Sequence, residues 1–166
     1  MTITIRQANS YDLEPMLAWR GHSKAVCEAI TREFARISAQ TGVIFLAFSG
    51  TQLVGTVQMV FDHDDPDLIR NAVYLQGLEV HQDFQHCGIA TRLNETLIAQ
   101  AKFAGCLRVT LMVETENLPA LALYTKLGFQ GFKESIFVWD GQHLPVLCMA
   151  LELKGSIQSL SPPKVQ

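Results

Sequence analysis

Residues 85–93 read Gln-His-Cys-Gly-Ile-Ala-Thr-Arg-Leu, nine residues without an acid. They stand between an alternating stretch, VYLQGLEV, and a helix-forming one, TRLNETLIAQAKFA. A helix start leaves its first N–H groups unpaired, and the helix dipole favours negative charge there. A glycine such as Gly88 lets backbone approach a ligand with no Cβ between them. Together these features suit a phosphate. The stretch lacks the Gly-x-Gly-x-x-Gly of a dinucleotide fold and the Gly-Lys-Ser/Thr of a triphosphate loop. On this loop alone, a phosphate site and a plain strand-to-helix turn weigh equally.

Further along, VETENLPALALYTKLGF puts Asn117 at a strand end and Tyr124 inside a short helix. Asn117 is a natural N-cap, with Pro119 suited to the first helical position. Tyr124, taken by itself, reads as a core tyrosine on an apolar helix. Cys87 is a thiol at a helix start, where its pKa can fall, and it is read as a loop residue.

Taken jointly, Gln-x-x-Gly-Ile-Ala, a helix, and then Asn-x-x-Ala-x-x-Leu-Tyr-x-Lys-Leu-Gly-Phe make the chain resemble the GNAT superfamily of acetyl-CoA-dependent N-acetyltransferases. The resemblance is strongest over residues 73–132. It implies that backbone N–H groups of Gln85, His86, Cys87, Gly88, Ile89, Ala90 and Thr91 hold the CoA pyrophosphate. It implies that backbone groups of Leu78 and Val80 pair with the pantetheine arm, on a strand that splays from its neighbour. It gives the Val80 N–H an oxyanion-hole role, brings Asn117 to the cofactor arm, and makes Tyr124 the acid that protonates the leaving sulfur. The implied activity is acetyl transfer from acetyl-CoA to a primary amine, expected on a small molecule, by direct attack in a ternary complex. A peptide or protein acceptor, another acyl-CoA donor and a non-catalytic CoA-binding sensor are the alternatives.

The base that takes the proton from the amine is not assigned by this reading. Glu79, Glu114, Glu116 and a water chain are the candidates. A period of two sends Glu79 to the face opposite Tyr74, Gln76, Leu78 and Val80, which argues against it. Trp19, His22 and Glu28 are candidate contacts for the acceptor. The loop DHDDPD, with four aspartates, reads first as solvated and without a role, and second as a lure for a cationic amine.

These residues need elements to carry them. TITIRQA alternates as a strand, and Ser10 or Asp12 can cap a helix through YDLEPMLAWRG. SKAVCEAITREFARISAQ places Val26, Ile30, Phe34 and Ile37 on one stripe of a second helix. VIFLAF and LVGTVQMVF form a hairpin, and AVYLQGLEV is the next strand. The central helix carries Leu93, Leu97, Ile98 and Ala101 and stops at Gly105. LRVTLMVE, a short helix closed by Gly128, and the strands FKESIFVWD and LPVLCMALEL complete the order. The expected fold is α/β (α+β): a mixed, mostly antiparallel twisted sheet flanked by helices, built around a strand–loop–helix–strand unit. One domain over 1–153 is expected, with 154–166 a flexible tail.

Composition bounds the rest. The 166 residues are 48% hydrophobic and 17% charged, with a net charge of −3, which fits a globular domain and argues against nucleic acid as a partner. The four cysteines have no zinc-site spacing, the histidines do not gather, and no metal is expected. Reduced thiols point to a cytoplasmic protein. The N-terminus lacks the pattern of a signal peptide, and no apolar run nears the ~20 residues of a membrane span. A homodimer through the last strands is an open expectation.

Overall fold

The computed structural model describes residues 1–153; the expected tail, 154–166, lies outside the described residues. Seven strands form one sheet in the order β1-β2-β3-β4-β5-β7-β6. They are β1 (Ile3–Gln7), β2 (Gly42–Ser49), β3 (Gln52–Val60), β4 (Val73–Val80), β5 (Arg108–Glu114), β6 (Gln130–Trp139) and β7 (Gln142–Glu152). Every neighbouring pair is antiparallel except β4 and β5. Helices α1 (Leu13–Arg20) and α2 (Lys24–Ala39) precede β2, while α3 (Ile89–Phe103) and α4 (Leu118–Lys126) flank β5 in the chain. This is the mixed, mostly antiparallel sheet that the alternation and stripes imply.

The first helix starts differently from expectation. Asn9 caps a 3-10 turn over Ser10–Asp12 that leads into α1, and Asp12 stands at the N-cap position of α1 without a side-chain cap bond. Asp12 instead accepts from the Asn9 N–H and holds Arg6 through two 2.8 Å bonds. In α2 the expected stripe packs on β2, with Ile30 and Phe34 buried beside Ile44 and Leu46. In α3, Ile89, Leu93, Leu97 and Ala101 are buried in the core, the helix lying on β2, β3 and β4. Burial of each leucine or isoleucine there contributes about 1.5–3 kcal/mol.

Two local features shape the middle of the sheet. The β3–β4 register slips by one residue: Gln58 faces Gln76, yet Thr56 faces Glu79. β4 therefore bulges at Gly77, whose φ of +64° is the left-handed region that suits glycine. Second, β4 and β5 pair only at Val73–Val109 and Tyr74–Thr110 and then part. At the sheet's far edge, the β6–β7 turn uses Asp140 and Gly141 at positive φ, as a two-residue hairpin requires.

The acidic loop is anchored at some points, while Asp62 and Asp64 are exposed as a solvated loop implies. Leu68 is buried, Asp67 bonds Lys133 and Ser135 of β6, and Asp62 pairs with Arg36 at 3.5 Å. The loop is thus tied to α2 and to β6 through two of its four aspartates.

Candidate active site

The end of β4 shows why the gap between β4 and β5 has chemistry to offer. The His81 N–H donates to Val54 O at 2.8 Å, so the ladder is hydrogen-bonded at that residue. Alternation along an antiparallel pair turns the N–H and C=O of the preceding residue, Val80, away from β3. Beyond Tyr74, β5 does not pair with them. Val80 O takes a bond from Gln85 Nε2 at 3.3 Å. An open strand edge remains, of the kind that accepts an extended ligand as an added strand.

Past β4 the chain makes a 3-10 turn at Gln82–Phe84 and enters the acid-free loop. His86 and Gly88 sit at φ +61° and +77°, and α3 begins at Ile89. A Cβ on Gly88 would meet nothing within 4 Å, so glycine is needed there for its conformation rather than for space. The first helical bond is Arg92 N–H to Gly88 O, and Gly88 supplies no side-chain cap. Among the described residues, no acceptor takes the N–H groups of His86 through Thr91. Six unpaired donors at a helix start are an arrangement that can receive an anion. Arg92 Nη2 binds Ile3 O at 3.0 Å and ties this end of α3 to β1.

A cavity of about 460 Å³ joins these parts. Leu78, Val80, Gln85, His86, Gly88, Ile89, Ala90, Thr91 and Asn117 all line it. Cys87 does not; its exposed thiol turns back to Gln85 O at 3.4 Å. Asn117 caps α4, its Oδ1 accepting from Ala120 N–H at 3.2 Å, and Pro119 falls at the second helical position because Leu118 opens the helix. The cap uses the oxygen of Asn117 and leaves its amide NH₂ for other partners.

A second cavity of about 430 Å³ shares Leu78, Asn117 and Ala120 with the first and contains Tyr124, Tyr74 and Glu114. Tyr124 is buried, with its ring edge-on to Phe129. Burial, reinforced by Tyr74, holds its hydroxyl far above the ordinary tyrosine range. Tyr74 is pushed up to about 12 by burial, with Asp65 and Cys148 adding to the effect. Both phenols keep their protons at neutral pH, which is what a proton donor must do.

A third cavity, about 490 Å³, shares Tyr74, Gln76, Gly77, Phe137 and Trp139 with the second. Glu79 lies on its wall, which corrects the expectation from strand period. The bulge at Gly77 resets the alternation, so Glu79, opposite Thr56, shares a face with Gln76, opposite Gln58. Glu79 binds Arg20 Nε at 2.7 Å. His22 lines this cavity as expected, whereas Trp19 stacks on His81 and exposed Glu28 faces Lys24. Glu114 lines the second cavity and Glu116 none of these three.

Glu33 of α2 was not anticipated. Its signal is an acid next to Phe34 and three residues past Ile30, within the buried stripe. It lines the third cavity beside Arg20 and Glu79. Among the described residues, no group of three potential metal ligands occurs, and no helix is long and apolar enough to cross a membrane.

Comparison with known proteins agrees with this geometry. N-alpha-acetyltransferase MAK3 of Arabidopsis thaliana is 38% identical over 85 residues, 51% of this chain and 43% of that protein. The aminoglycoside N(6')-acetyltransferase type 1 of Acinetobacter genomosp. 13 is 26% identical over 125 residues, covering 73% of this chain and 83% of that protein. The chain spans about half the length of several curated relatives that it matches. The crystal structure of Arabidopsis thaliana NAA60 in complex with acetyl-CoA has the same fold, with a TM-score of 0.75 at 20% identity, covering 93% of this chain and 100% of that one. The model of the acetyltransferase (GNAT) family matches residues 12–129, and the chain belongs to that family.

Proposed function

We propose that this protein transfers an acetyl group from acetyl-CoA to a primary amine of a small molecule, by direct attack in a ternary complex. One observation supports this most: β4 parts from β5 beside six unpaired N–H groups, so an open strand edge runs from an anion cradle to a buried tyrosine. In this reading His86 through Thr91 hold the pyrophosphate, since the Gln85 N–H, expected among the donors, is taken by Gln82 O at 3.5 Å. Leu78 and Val80 offer backbone partners to the pantetheine arm. The Asn117 amide reaches the same arm while its oxygen caps α4. The Val80 N–H steadies negative charge on the thioester oxygen, and Tyr124 protonates the departing sulfur. A cytoplasmic setting is part of this reading, supported by cysteine spacing that suits reduced thiols. A homodimer would form along edge strand β6, where Ile136 and Val138 are more than half exposed.

A peptide or protein acceptor is the second reading, favoured by the match to an N-alpha-acetyltransferase. The test is a thermal-shift titration with acetyl-CoA, with ATP as control, followed by thiol release with aminoglycosides and with peptides bearing a free N-terminus. Acetyl-CoA at a hundred times its Kd stabilises by about 2.7 kcal/mol, a shift of roughly 5–10 °C for a chain of this size. Stabilisation by ATP and not by acetyl-CoA would refute the proposal.

A further inference from the structure

The carboxylate of Glu33 is buried and short of partners. Its side chain is 11% exposed, and among the described residues its one ion pair is Arg20 Nη1 to Oε2 at 3.6 Å. Arg20 spends its shorter bond, 2.7 Å, on Glu79, whose side chain is 48% exposed. The Oε1 of Glu33 lies 3.5 Å from where a Cβ of Gly77 would stand, so it hangs over the bulge that has no side chain to fill that space. It faces a cavity walled by Tyr74, Gln76, Phe137 and Trp139. Burying a carboxylate without hydrogen-bond donors is costly, and a cationic donor entering the cavity removes that cost. Burial pushes the Glu33 carboxyl up, Arg20, Arg36 and Arg32 pull it down, and Glu79 adds to the rise. His22 and Tyr74 are the other titratable groups on the cavity wall.

We propose that Glu33 is the proton acceptor for the amine substrate, with Arg20 and Glu79 as positioning residues. This rests on the transferase reading of the site. The ammonium enters between Glu33 and the aromatic wall and gives one N–H proton to the carboxylate. The freed nitrogen pair forms a C–N bond to the acetyl carbonyl carbon, and the carbonyl π pair moves to oxygen. That pair returns as the C–S bond breaks and sulfur leaves with its bonding electrons. Tyr124 gives sulfur a proton and regains one from nitrogen, and Glu33 releases its proton to solvent. Glu79 is already neutralised by Arg20; its part is to keep that guanidinium from closing on Glu33.

The experiment compares the unaltered protein with Glu33→Gln and Glu79→Gln, using benzylamine and hydroxylamine as probe amines. Benzylamine is an ammonium at neutral pH and hydroxylamine is not. Glu33→Gln is expected to keep its stabilisation by acetyl-CoA and to lose at least about 100-fold in kcat with benzylamine. It should also lose the acidic limb of the pH profile, with a much smaller loss toward hydroxylamine. Glu79→Gln is expected to slow turnover and retain that limb. A readout without any acceptor is melting temperature against pH. A carboxyl raised in the fold costs stability as pH rises from its unfolded value through its folded one, so the melting temperature of Glu33→Gln relative to the unaltered protein should shift upward as pH rises to 8, whatever the loss of the Arg20 pair costs at every pH. A melting difference between Glu33→Gln and the unaltered protein that stays constant or moves against the variant as pH rises to 8 overturns the proposal, whether or not either amine is acetylated. So do turnover and an acidic limb that survive in Glu33→Gln. Absence of any acetyl-CoA stabilisation in the unaltered protein overturns the transferase reading instead.

Discussion

Gly55 of β3 lies beneath the start of α3, and replacing it with alanine sets two effects against each other. A Cβ there would stand 3.0 Å from Ile89 Cγ2, 3.0 Å from Leu93 Cδ1 and 3.3 Å from Ala47 Cβ. All three neighbours are at most 1% exposed, so none can swing aside into solvent. Removing a strand glycine gains about 0.4–1 kcal/mol from the stiffer unfolded chain. Forcing a methyl into a packed layer loses about 1–3 kcal/mol. The clash wins, and Gly55→Ala should destabilise by about 1 kcal/mol, or roughly 2–4 °C in melting temperature. The strain has a direction. Ile89 is the first residue of α3, so relief comes by lifting the end of the helix that carries the unpaired N–H groups. Acetyl-CoA affinity, measured by calorimetry, should fall with stability, whereas a variant at the far end of α3 should leave it alone. A Gly55→Ala protein that melts higher and binds acetyl-CoA unchanged would refute both the packing argument and its link to the cradle.

Tyr124→Phe should fold with a melting temperature near that of the unaltered protein and bind acetyl-CoA, yet lose at least about 100-fold in kcat; normal turnover would remove the phenol from the mechanism. Asn117→Ala should cost about 0.5–2 kcal/mol for the lost cap, and Asn117→Asp should restore that stability without restoring acetyl-CoA affinity, as a melt and a titration on each variant will show. Asp12 is held below the usual carboxylate range by the Arg6 guanidinium and further by the Asn9 N–H. Its stability contribution is therefore full above its unfolded pKa and lost as pH falls through its folded one; Asp12→Asn should melt lower at pH 7 and differ least from its parent in strong acid.

The element order was legible because period and punctuation agreed along most of the chain. Gly105 and Gly128 do end helices, and the α2 and α3 stripes do face the sheet. The loop was half legible: a loop without acids before a helix admits two meanings, and the unpaired N–H groups of His86 through Thr91 favour the anion site we propose. Glu79 was misplaced because a strict period of two assumes an unbroken ladder. Gly77 inside a strand was the warning, since an isolated strand glycine often marks a bulge. Glu33 leaves little trace in the sequence because a helical stripe is marked by its apolar residues, and an acid among them reads as an interruption rather than a buried charge. The acidic loop misled in the same way: its aspartates looked solvated, but Leu68 buries itself and draws Asp67 onto β6. Long-range partners of that kind leave no local spacing to read.

The parting of β4 and β5 also bears on how the molecule holds together. Only two residue pairs join the β1–β4 half of the sheet to the β5–β7–β6 half, so the cross-strand rungs that make a sheet mechanically continuous are few at its middle. The buried cluster that includes Val57 and Leu75 of one half and Val109 and Leu111 of the other then spans the seam. A ligand that lies along the free edge of β4 supplies rungs which the polypeptide itself omits. Occupancy would stiffen the seam and make the two halves resist opening as one body, which hydrogen exchange at Leu78 and Val80 would register as slowed opening.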